Sequence, residues 1–212
     1  MVWNFFKSNK KTKNKSTDKP INLDALSKEE TFALALGDLE HKRIANELED
    51  CNLVNYLEKE WNIEFNENDN EEYMIYLLQK IWKSGTVSWY WEHRKLHHKI
   101  DVKDLVAFDS VRFTELIRQA IYLKYIDEES AWGLLFLNAQ RVQESFSGWE
   151  DFKSSYFRAV VFYNIVRKMK EDKQEEAISK FDELVELLVN ENNIEILWLN
   201  DALFEKIKIK GI

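Results

Sequence analysis

From Leu105 to Tyr163 the chain runs through three helical apolar patterns joined by two short links, and this stretch constrains the fold more than any other. At 100° per residue, Leu105, Phe108, Phe113, Leu116 and Ala120 define one buried arc, and Asp101, with Asp104 three residues on, is a fitting N-cap for their helix. Asp127 caps a second helix whose inner face is Ala131, Leu134, Leu135, Ala139, Val142 and Phe146, with Trp132 at its edge. Ser147 and Glu150 have capping-box spacing and open a third, with Trp149, Phe152, Tyr156, Ala159, Val160, Tyr163 and Val166 on one side. Phe157, Val161 and Phe162 lie off that side, so this helix is either central or contacts a partner.

The rest of the chain reads the same way. Five Gly and one Pro leave little for tight turns or sheet corners, and 45% apolar residues in a chain of 212 suffice for a core. The expected fold is all-α: one multi-helix domain of about seven to nine helices over residues 20–212. Within it, 27–163 form the core and 164–212 a C-terminal helical extension. Ser27 and Glu30 form a capping box ahead of Phe32, Leu36 and Leu39. A helix from about Glu47 to Trp61 carries Leu53, Leu57 and Trp61, followed by a polar connector over 62–70. Met74, Leu77, Leu78 and Ile81 mark another helix, with Gly85 placed to end it. Beyond a charged link at 168–174, Ala177, Ile178, Phe181, Leu184, Val185 and Leu188 pattern a single amphipathic helix. The apolar segment 194–212 is suited to dock on the body.

Charge is distributed unevenly. Formal charge is −8, yet residues 1–19 hold six Lys against one Asp, which puts +5 on that arm and −13 on the remainder. The arm reads as disordered, with Trp3, Phe5 and Phe6 beside its lysines allowing at most weak contact with a membrane surface. The acidic body repels phosphate backbones, so a nucleic acid is not an expected partner and a basic protein is. One cysteine, Cys51, fits a reducing compartment, and no apolar run approaches the roughly 18 residues of a membrane span. Apolar residues precede basic ones at the start, the reverse of a secretory signal, so the expected location is cytoplasmic.

Few residues suggest chemistry. Asp109 and Arg112 fall within the apolar arc of their helix, and buried charges persist only when paired and hydrogen-bonded. They read either as a structural i, i+3 pair or as a polar ligand site with Asp109 as acid or base and Arg112 as anion clamp. Asn138, on the facing helix, is placed to satisfy them. The segment 86–100 contributes Trp89, Trp91 and His93, which with Phe157 and Phe162 make a candidate partner surface. His93 and His97 have a metal-ligand spacing, but no Glu follows His93 and no Cys is near, so no metal is expected. No cofactor motif is present in the sequence, and no Ser, His and Asp arrangement or Cys and His pair can be picked out.

Between Ser27 and Tyr163 the chain resembles bacterial domain-of-unknown-function family 1266, which includes the YbeU-like proteins. The likeness rests on Ala107-Phe108-Asp109, Arg112, Lys124-Tyr125-Ile126, Ser130-Ala131-Trp132 and Gly148-Trp149-Glu150-Asp151-Phe152. These are similar to the family's Ala-Trp-Asp, Arg, Gly-Tyr-Ile, Glu-Ala-Trp and Ser-Trp-Glu-Glu-Phe. The segment LEKEWNI before the Gly85 helix is similar to the family's Trp-x-Ile. Phe108 stands for Trp, Lys124 for Gly, and Ala159-Val160 with Tyr163 for a Gly-Arg and a terminal Trp. The resemblance implies the fold and marks Asp109 and Arg112, while the family brings no established reaction.

The function these features favour is a non-catalytic acidic helical protein-binding module. It would be immunity- or adaptor-like and mask a basic, toxin-like partner, with aromatic side chains as anchors and opposite charge speeding association. The alternative is an enzyme or small-ligand protein with a polar pocket around Asp109, Arg112 and Asn138.

Overall fold

The structure is a computed structural model that describes residues 26–39, 71–84 and 98–191 together with Leu53, Leu96 and Trp198. Among the described residues it is all-α, with seven α-helices: α1 (Lys28–Ala35), α2 (Glu71–Ser84), α3 (Val102–Tyr122), α4 (Glu128–Ser145), α5 (Trp149–Tyr163), α6 (Glu171–Ser179) and α7 (Phe181–Glu191). A 3-10 turn, Leu36–Leu39, extends α1, and a π-helical turn, Asn164–Lys168, extends α5. The expectations for 1–19, for the rest of the 47–61 helix, for 62–70, Gly85, Trp89, Trp91, His93 and His97, and for 194–212 apart from Trp198 lie outside the described residues.

Local capping places the first helices. Ser27 accepts from the Glu30 N–H while Glu30 accepts from the Ser27 N–H, which satisfies two of the donors a helix start leaves open. Asp101 and Asp104 do the same for α3, each bond 3.0 Å, and Asp127 accepts from the Ser130 N–H at α4. The end of α3 is less ordinary. Lys124 has φ 61, the Lys124 N–H bonds the Ile121 carbonyl, and the Tyr125 N–H bonds the Ala120 carbonyl. This is a left-handed helix terminus of the kind glycine favours, held here by a lysine.

Helix α3 is the axis of the core. Leu105, Phe108, Val111, Phe113, Leu116, Ile117 and Ala120 are buried, with α4, α5, α2 and the 3-10 turn packed around them. The inner face of α4 is buried as its spacing predicts. Trp198 docks on the body, its ring 5.4 Å from that of Phe32 and 6.4 Å from that of Phe152.

Three expectations are corrected. First, Phe157 and Phe162 are core residues, 4% and 1% exposed, so they form no partner surface. Helix α5 lies between α3 and α7, so apolar residues are needed on more than one side. Second, Ser147 and Glu150 form no capping box. Gly148 is the N-cap of α5 without a side-chain bond, and Ser147 turns both its N–H and its hydroxyl to the Asp151 carboxylate, 2.8 and 3.0 Å away. Lys103 donates to both oxygens of that carboxylate at 2.8 Å, fixing a charged acceptor toward which the serine turns. Third, the single helix expected over 177–188 is two, α6 and α7, divided at Lys180, whose N–H bonds the Glu176 carbonyl. The break accompanies complete burial of Phe181 at the start of α7, where α7 packs on α5.

Candidate functional site

Where α3 meets α4, the apolar interface is interrupted by side chains that bond one another. Ser110 and Thr114, one turn apart on α3, are fully buried, as is Asn138 on α4. The Thr114 hydroxyl donates to the Ser110 carbonyl at 3.1 Å. The Asn138 amide donates to the same carbonyl at 2.8 Å and to the Thr114 hydroxyl at 3.1 Å. Its carbonyl oxygen accepts from Arg141 at 3.1 Å, so an amide surrounded by apolar residues has its hydrogen-bonding capacity used.

Arg141, on α4 one turn beyond Asn138, connects this group to a third helix. One terminal nitrogen donates to the Trp82 carbonyl in the last turn of α2, at 3.0 Å, and the other also donates to the Ser110 hydroxyl at 3.0 Å. The guanidinium carbon lies 4.9 Å from the centre of the Trp82 ring. Burial pulls the Arg141 pKa down to about 10, opposed by the negative charge of nearby Asp109. The side chain therefore remains a cation at neutral pH.

Asp109 and Arg112 flank this group, both half-buried. Arg112 lies against aromatic rings, its guanidinium carbon 5.1 Å from the Phe108 ring and 5.7 Å from the Tyr163 ring. Asn138 partners Ser110, Thr114 and Arg141 rather than Asp109 and Arg112, because its side chain meets the buried face of α3 while those two occupy the flank. Sequence reasoning thus found Asn138 and the neighbourhood but missed Arg141. Its i, i+3 spacing from Asn138 beside an apolar face reads equally as that of a surface arginine, so the sequence carried no signal for it.

Two further charged groups tie helices together. Arg118 on α3 bonds Glu115, the Leu34 carbonyl at the end of α1 and Asp38 of the 3-10 turn, the last at 3.0 Å. Arg158 on α5 lies 3.5 Å from Asp104 and 3.4 Å from Asp182, and it bonds the Lys99 carbonyl. Burial pushes the Asp104 carboxyl above its ordinary value, and the Asp101 charge adds to this. The Asp101 N–H, Ser155 and Arg158 pull the other way. At Asp151, burial raises the carboxyl pKa, but the bonds from Lys103 and Ser147 hold it below the ordinary range.

Among the described residues, no group of three or more His, Cys, Asp or Glu is placed to hold a metal ion. Among them, too, no helix is long and apolar enough to cross a membrane. The family model described as "Protein of unknown function (DUF1266)" matches residues 29–198. No curated protein and no solved structure matches the chain.

Proposed function

Because the chain belongs to the DUF1266 family, whose description names no activity, we propose its function from its own surface: it is a non-catalytic cytoplasmic module that binds a basic protein. The carrying observation is the outer face of α6 and α7. Residues 171–191 hold eight carboxylates against two lysines. Glu176 is paired with Lys180, and Asp182 with Lys99 and Arg158. Glu171, Asp172, Glu175, Glu183, Glu186 and Glu191 are exposed and have no ion-pair partner among the described residues. Leu187 stands among them 57% exposed, an apolar contact inside a field of one sign.

Such a face attracts a cationic partner at a distance and offers it an anchor on arrival, the combination expected of an immunity-like or adaptor-like protein. The polar group between α3 and α4 fits this reading as a fold determinant, since its hydrogen bonds join α2, α3 and α4. To test it, the tagged full chain is used to capture proteins from its own cells, beside a variant carrying Glu175→Gln, Glu183→Gln, Glu186→Gln and Leu187→Ser. The expected result is a basic protein that wild type retains at low salt and releases as salt rises, and that the variant fails to retain. Equal retention by the variant, or no basic protein at low salt, would refute the proposal.

A further inference from the structure

We propose that Arg141 and Trp82 form a binding site for a small oxyanion, a carboxylate or phosphate group, at the junction of α2, α3 and α4. It is independent of the acidic face of α6 and α7. Its basis is a pair of buried donors on touching side chains: the Trp82 indole N–H and the Arg141 Nε–H are both shielded from solvent, and neither has an acceptor among the described residues. They belong to side chains in contact, with the guanidinium carbon 4.9 Å from the indole ring centre. Buried donors are almost always satisfied, and two orphans on touching side chains leave both open to an acceptor beyond the described residues.

The charge on Arg141 says which acceptor. Two other guanidinium groups that bridge helices bond carboxylates directly, Arg118 with Glu115 and Asp38, and Arg158 with Asp104 and Asp182. Among the described residues, Arg141 bonds only neutral groups: the Trp82 carbonyl, the Ser110 hydroxyl and the Asn138 side-chain oxygen. Asp109 acts on it through its field, without a hydrogen bond between them. A desolvated cation held on neutral acceptors gains most from an anionic oxygen, because bonds between charged partners are about twice as strong as neutral ones. The cation is also preorganised. Bonds to α2, α3 and α4 fix its plane before any ligand arrives, so little side-chain entropy remains to be lost on binding. In a chain of net charge −8, this fixed cation gives a small anion a local reason to bind.

The test uses the full chain, with acetate and inorganic phosphate titrated separately against chloride at matched ionic strength. Thermal unfolding and calorimetry are the readouts. The expected result is saturable stabilisation and binding by one anion or both, with the stronger response identifying the group as carboxylate or phosphate. Trp82→Phe keeps the ring and removes one donor, and should weaken binding by roughly tenfold. Arg141→Gln should abolish it. Because phosphate stabilises proteins generally by exclusion from their surface, a response that does not saturate, or that Trp82→Phe leaves unchanged, overturns the proposal. So does a Trp82→Phe protein that is more stable than wild type where wild type shows no anion response, since the indole N–H is then only a desolvation cost. Should Arg141→Gln fail to fold, the Trp82→Phe comparison decides alone.

Discussion

Of the described glycines, Gly37 is the one where adding one methyl group should do the most damage. It lies in the turn after α1, directly under the Arg118 and Glu115 side chains of α3. A Cβ there would stand 2.8 Å from an Arg118 terminal nitrogen, 3.0 Å from its guanidinium carbon, and closer still to Glu115 Oε1. Real Cβ contacts are not that short, so the pair must move, and it has little room. Glu115 is buried, while the side chains of Arg118 and Asp38 are 16% and 21% exposed. Breaking a buried ion pair costs about 3–5 kcal/mol. Water reaching Arg118 and Asp38 offsets part of that, and replacing glycine returns about 0.5–1 kcal/mol through the unfolded chain. Gly37→Ala should therefore destabilise the protein by about 2 kcal/mol, lowering Tm by roughly 6 °C for a chain of this size. Urea unfolding followed by tryptophan fluorescence measures it. In a Glu115→Ala background the shortest of these contacts is gone, and the same substitution should cost clearly less, so the double-mutant cycle isolates that contact. A Gly37→Ala protein as stable as wild type, or equal costs in the two backgrounds, would refute the reasoning.

Lys124→Gly should stabilise by about 0.5–1 kcal/mol in thermal unfolding, since the left-handed conformation at φ 61 costs a side-chain-bearing residue more than glycine loses in entropy. Asn138→Leu leaves the Thr114 hydroxyl and one Arg141 nitrogen each short of a partner and should cost about 3 kcal/mol in urea unfolding. For Asp104, burial raises the folded carboxyl above 3.8, so the folded state keeps a proton that the unfolded chain releases. Its contribution to stability is thus lost as pH rises from 3.8 through the folded value, and Asp104→Asn, neutral throughout, should show a flatter stability profile across that window in acid titrations.

Features decided within a few residues were legible in the sequence. Ser27 with Glu30, Asp101 with Asp104, and Asp127 with Ser130 close bonds over three positions, so spacing alone places three helix starts. The buried arcs of α3 and α4 were equally readable, because a one-sided helix shows its period. The same logic failed for α5, which is covered on several sides, so Phe157 and Phe162 looked surplus to one face when they fill another. It failed again at Lys180, where tertiary burial of Phe181 accompanies a break that a continuous apolar period hides.

The site divides along the same line, and for a reason in the chemistry of arginine. Asn138 could be singled out because an amide among leucines and alanines needs an explanation on any fold. Arg118, Arg141 and Arg158 could not, since a long cation beside an apolar face also reads as a surface residue whose head reaches water. What separates the two cases is the partner, and the partners are remote: Arg118 reaches back 84 residues to Leu34, Arg141 59 residues to Trp82, and Arg158 59 residues to Lys99. All three bind a backbone carbonyl on another segment, an acceptor every residue carries, so no side-chain pattern could announce it. Two of the three then find carboxylates. The third bonds only neutral groups among the described residues, a difference visible only once the helices are assembled.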